Sequence, residues 1–263
     1  MASSNPVFNN SPAFSPKASK AAELSQPVQT LSAGQLSELY NRPAASPVDT
    51  DRMTYEDTIV KTAVSFAILL AGAAVGWVFP ALALPAALIG FVLALVNIFK
   101  KKPSPALVLA YAAVEGVFVG GISQFFDAQW SGIVLQAIIG TLVVVGVTLA
   151  LFASGKIRAS RKATKIFLVA MVGYLVFSLV NFGLTAFGVL DGFGLREGPL
   201  GVVIGLFVIV LAAYSLVLDF DNVKTGVERG APRVFGWTAA FGIMVTVVWL
   251  YLEILRLLAI FRN

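Results

Sequence analysis

The sequence predicts an all-α polytopic membrane protein, a seven-transmembrane-helix bundle, and three observations carry that prediction. Of its 263 residues 58% are hydrophobic and only 13% charged, with a mean hydropathy of +0.85, far above what a water-soluble domain carries. From Asp57 onward, apolar runs of roughly 20 residues, the length that crosses a bilayer at 1.5 Å per residue, alternate with short polar connections. Basic residues collect in alternate connections, the asymmetry that orients membrane helices.

Residues 1–55 stand apart. They are rich in Ser, Ala, Pro and Asn and show no sustained apolar period, which predicts a disordered tail. The segment lacks the basic start and apolar core of a secretory signal, so it is expected to stay attached and cytosolic. Residues 56–263 form the membrane domain. Its seven runs lie near Thr58 to Val78, Leu82 to Phe99, Ala106 to Phe125, Ile133 to Ala153, Ile166 to Phe187, Leu200 to Leu218 and Gly236 to Ile260. The first connection, Phe79 to Ala81, is short enough to require an antiparallel hairpin.

Lys100 to Lys102 follow the second run, five basic residues from Lys156 to Lys165 follow the fourth, and Lys224, Arg229 and Arg233 follow the sixth; the other connections hold only Arg196. These basic loops and the amino terminus are therefore expected on the cytoplasmic side of a plasma membrane, with the carboxy terminus outside if all seven runs span. Arg256 and Arg262 run against that pattern. If the last run dips in and returns, both termini are cytosolic. Two GxxxG pairs, Gly72 with Gly76 and Gly116 with Gly120, have the spacing that lets helix backbones approach closely.

The chain has neither cysteine nor histidine. Thiolate metal sites, most zinc sites and any serine–histidine–aspartate triad are thereby excluded. Ser123, within GGIS, has no histidine base for rhomboid-like proteolysis, and the GxGD signature of intramembrane aspartyl proteases is missing, so no enzymatic activity is expected. The net charge of +5 belongs to loop Lys and Arg and reports topology, not nucleic-acid binding. Any proton chemistry falls to carboxylates, and oxygen ligands favour hard cations such as calcium.

Four acids stand in or beside the runs. Glu115 lies halfway along the third, where an ionised carboxylate is expensive, so it is expected to face the bundle interior as a site or as a hydrogen-bonded link to a neighbouring helix. Asp219 and Asp221 close the sixth run and point to nearly opposite faces. Only one can readily face inward, and Lys224 is the nearest partner for Asp221. Glu253 sits in WLYLEILRLL, where Arg256 could neutralise it within its own helix. Asn97, Gln136, Ser178 and Asn181 are isolated polar residues expected to bond between helices.

The seven-run plan, the LDFDNVKTG end of the sixth run, WLYLEILRLL in the last, MTYEDTIVKTA at the start and PALVLAYAAVEGVFVGGIS in the third together resemble the Bax inhibitor-1, or transmembrane Bax inhibitor motif, family, including its bacterial YccA-like branch, over roughly Arg52 to Asn263. The resemblance implies six helices around a central one and a pH-sensitive calcium leak channel. It also implies a gate in which Asp221 of FDNV and Glu253 of LYLE share a proton and offer a calcium ligand pair, with Asp219 an additional, solvated or mouth-lining acid. Two carboxylates a few Å apart cannot both ionise cheaply, so such a pair titrates as a unit.

The implied partners are the lipid bilayer, calcium ions and protons, with no cofactor beyond calcium as a permeant ion. A second reading, from the YccA-like resemblance and the long tail, is a non-catalytic modulator of a membrane protease or stress-response partner. A third is a proton-coupled transporter using Glu115. The shared-proton gate carries a geometric condition: if the last helix begins at Gly236, Glu253 stands about 25 Å above its inner end by helix rise, too far from Asp221.

Overall fold

Seven apolar segments that must each satisfy their own backbone in lipid have one economical solution, the α-helix. The computed structural model describes residues 51–262 of the chain. Within them the helices are α1 Tyr55–Val78, α2 Ala83–Phe99, α3 Pro105–Gln129, α4 Ile133–Ala153, α5 Arg161–Ala186, α6 Gly198–Glu228 and α7 Gly236–Arg262. All seven are long and apolar enough to cross a membrane. Of the expected tail, residues 1–55, only Asp51 to Tyr55 are described: Tyr55 already belongs to α1, and Asp51 to Thr54 precede it.

Those four residues are docked. The Met53 amide donates to the Ala231 carbonyl at 2.7 Å and the Arg233 amide to the Asp51 carbonyl at 2.8 Å, pairing this segment with the connection between α6 and α7. Met53 is buried, its sulfur packed on Gly226. Thr54 then starts α1, its side chain accepting the Asp57 amide as an N-cap.

One boundary lies far from the end of its apolar run. The sixth run ends at Leu218, yet α6 continues to Glu228, because hydropathy marks the part of a helix that suits lipid and not the part that keeps its backbone bonds. Asp219 and Asp221 therefore lie inside a helix and not at its end. The last run is one uninterrupted helix from Gly236, so the dipping alternative is not realised.

The most enclosed helix is α7. In its most apolar stretch 61% of residues are buried, against 11% for α2 and 0% for α5. It packs on α6, α1, α4 and α3, while α2 rests on α3. Tyr111 of α3 meets Phe241 of α7 edge-on at 5.0 Å, and the Ser123 hydroxyl lies 2.6 Å from that of Tyr251, which sets α3 parallel to α7. By contrast α5 is loosely held, with Phe167 its one buried residue.

The closest helix pair is α1 with α3. Gly72 lies against Ala113 and Gly116, while Gly116 lies against the Leu69 carbonyl and Ala73. The two GxxxG pairs thus face each other, and a Cβ on Gly116 would run into the α1 backbone, which no rotamer can relieve. On the far side of α3, Asn97 of α2 donates to the Leu107 carbonyl at 3.3 Å. Gln136 accepts from Arg262 at 3.0 Å, and Asn181 holds the turn before α6 through Phe193 and Leu195. The isolated polar residues accordingly link elements, as their placement in apolar runs implied.

Gly116→Leu should lower the thermal unfolding temperature in detergent sharply, since overpacking of this kind costs about 1–3 kcal/mol or more. Gly173→Leu, at a position with open space around it, should leave that temperature nearly unchanged.

Candidate functional site

The short connection Arg229–Phe235 turns the chain back on itself, so α6 and α7 run antiparallel. Their register is marked by side chains. Gly205 meets Leu257, and Ser215 and Asp219 both meet Thr246. Thr246 Oγ1 donates to Asp219 Oδ2 at 2.7 Å, and Gly242 presents a bare Cα beside the other oxygen, where a Cβ would come within 3.1 Å. Asp219 is thus the acid that faces inward, not the solvated one expected from the sequence. Nine residues of α6 follow it, which puts it about 13 Å from the end of the helix by rise.

The same register separates Asp221 from Glu253. Glu253 lies seven residues beyond Thr246 along α7, and Asp221 lies two residues beyond Asp219 in the opposite sense. The axial offset is therefore about 13 Å. The expected shared-proton pair does not form, and with it goes the expected calcium ligand pair. The physical reason is the one the geometric condition stated: α7 begins at Gly236 and spans without a break. Lys224 pairs with Glu228 at 3.6 Å and not with Asp221.

Glu253 is instead held by Arg256, one turn on, as a buried ion pair. The two residues are 4% and 8% exposed. Tyr174 of α5 donates its hydroxyl to the other Glu253 oxygen at 3.3 Å. Arg196, from the turn before α6, lies over the Tyr174 ring at 4.9 Å and donates to Ser178. The Glu253 carboxylate is thus paired with the Arg256 guanidinium and the Tyr174 hydroxyl, and Nε and Nη1 of Arg256 and Nε of Arg196 are enclosed without an acceptor among the described residues. Sequence reasoning anticipated Arg256, whereas nothing in the sequence marked Tyr174 or Thr246.

Glu115 sits elsewhere. Its carboxylate reaches across Gly90 of α2, where a Cβ would lie 3.0 Å from Oε2, so it links α2 and α3 and joins neither α6–α7 acid. Among the described residues no group of three or more His, Cys, Asp or Glu side chains could hold a metal ion.

A second charged cluster, Asp57 with Lys61 and Arg233, closes the end of the bundle that carries the basic loops. Asp57 pairs with Lys61 in its own helix and with Arg233 Nη2 at 2.8 Å, while Lys61 also donates to the Arg233 carbonyl at 2.7 Å and lies over Trp237. The i, i+4 spacing of Asp57 and Lys61 was the available signal for it. Ser123 donates to the Val119 carbonyl at 2.6 Å besides meeting Tyr251, so its hydroxyl serves the α3–α7 contact.

Arg256→Gln leaves Glu253 buried without its ion-pair partner and should destabilise by about 3–5 kcal/mol. The double change Glu253→Leu/Arg256→Met should cost much less than Arg256→Gln alone in thermal unfolding, because no lone charge remains.

No curated protein matches the chain. The family profile described as Bax inhibitor 1 like matches residues 5–263, reaching well into the amino-terminal segment that the resemblance had left out. With nearly the whole sequence matched and seven membrane-length helices among the described residues, the chain belongs to the Bax inhibitor 1 like family.

Proposed function

We propose that this integral membrane protein is a pH-sensitive calcium leak channel of the plasma membrane, with its amino terminus and basic loops on the cytoplasmic side, and that Asp219 is its proton-sensing acid. The observation that carries the reading is the setting of Asp219, a half-buried carboxylate at the α6–α7 contact whose side-chain partner is the neutral hydroxyl of Thr246. Ionisable residues inside a membrane segment are costly and mark ion or proton pathways. The family resemblance points to the same activity.

Asp219 and Glu253 differ in what a proton does to them. Glu253 is neutralised by Arg256, so its ionised state already has a counter-charge. Among the described residues no cation pairs with Asp219, so gaining or losing its proton changes the net charge between α6 and α7. In the proposed mechanism protonated Asp219 accepts the Thr246 hydroxyl and keeps the two helices closed together. Ionised Asp219 still accepts the Thr246 hydroxyl, and more strongly, but its uncompensated charge between α6 and α7 draws water and a cation into the contact, for which calcium is a fitting oxygen-ligated choice. The ion passes along α7 as a permeant species and not as a resident cofactor.

In liposomes loaded with a calcium dye, wild-type flux should rise with pH. Asp219→Asn should hold flux at the low-pH level across the range, and Asp221→Asn should keep the wild-type pH response. An Asp219→Asn variant that titrates like wild type contradicts the assignment.

A further inference from the structure

The helices α1 and α4 both flank α7 but do not close on each other, and two cavities of about 610 Å³ each open between them. Phe66 lines both, so they form one groove with Phe66 at its waist. The half toward the basic loops runs along α1 from Tyr55 to Phe66, about 16 Å by helix rise. That is half of the roughly 30 Å hydrocarbon core, the depth of one leaflet.

The walls of this half are almost wholly apolar, supplied by residues such as Ile59, Leu149 and Phe220, and among the described residues no acidic side chain lines it. Its mouth is different. Arg158, from the connection after α4, and Lys224, near the end of α6, both line it. Gly155, at φ +75°, lets the loop turn so that the Arg158 guanidinium lies directly over it. The Lys224 pair with Glu228, at 3.6 Å and with the carboxylate 60% exposed, is a weak surface contact that leaves the ammonium available.

We infer that this half-groove is a binding site for one anionic phospholipid of the basic-loop leaflet, its acyl chain lying between α1 and α4 and its phosphate held by Arg158 and Lys224. An apolar slot one leaflet deep with two cations at its rim complements that molecule in both length and charge. Guanidinium and ammonium groups are the usual partners of phosphate, and basic residues at this level recognise anionic headgroups between helices. A zwitterionic lipid would fill the same slot but would carry its own cation to the rim, and should bind less well.

The test is native mass spectrometry of the full chain in detergent, offered equal amounts of dioleoyl phosphatidylglycerol and dioleoyl phosphatidylcholine. Wild type should retain the glycerol lipid with at least about fivefold preference. Arg158→Gln/Lys224→Gln should fall to parity, and Lys101→Gln/Lys102→Gln should keep the preference, with circular dichroism showing all three equally helical. Ala63→Trp, which fills the slot, should reduce retention of both lipids, and soluble glycerol phosphate should not compete. Parity in wild type, a preference that survives in the Arg158→Gln/Lys224→Gln variant, or competition by glycerol phosphate would overturn the inference. So would a dimer that disappears in Ala63→Trp, which would assign the slot to a second copy of the chain.

Discussion

The short connection from α6 to α7, clamped to the start of α1, is the constraint on which the rest of the arrangement depends. Arg229–Phe235 is too brief to let the two helices slide, and Asp57 binds it through Arg233 while Lys61 takes the Arg233 carbonyl. The backbone of Asp51 and Met53 pairs with the same stretch. A hinge fixed at three points fixes the antiparallel register above it. The register in turn decides which side chains meet in the membrane, where each polar group must find a partner within the protein.

Seen this way, the two acids of the α6–α7 interface have divided roles. Glu253 is locked in an enclosed ion pair, a device that contributes little net stability but is costly to break. It lies beside α5, the least buried helix, and its contact with Tyr174 is one of few polar ties between α5 and the core. Asp219 has a hydroxyl for a partner and stands between α6 and α7 at the edge of the apolar run, where a change of one charge acts on both helices. On another side of the bundle α1 and α3 pack closely through Gly72 and Gly116, in contrast to the loosely held α5.

Much of the fold was legible from the sequence because lipid imposes simple rules. Apolar length and the positions of Lys and Arg suffice to count the helices, and the GxxxG pairs marked two helices able to approach closely without saying that they meet each other. The site was less legible. Motif resemblance selected Asp221 and Glu253, but which acid faces inward depends on helix phase, and α6 runs ten residues past the apolar stretch that was used to set it. Thr246 and Tyr174 carry no signal at all, since an isolated hydroxyl in an apolar run acquires meaning only from what it faces. Rise along α7 did contain the correct warning, because a helix beginning at Gly236 cannot bring Glu253 down to Asp221.

The central claim is the register of α6 against α7, and the absence of native cysteine makes it directly measurable by oxidative cross-linking of paired cysteine substitutions in the membrane. Asp219→Cys with Thr246→Cys should form an intramolecular cross-link, and Asp221→Cys with Glu253→Cys should not, because a disulfide cannot bridge Cα atoms more than about 7 Å apart. Efficient cross-linking of the second pair together with none of the first would contradict the register and restore the shared-proton pair.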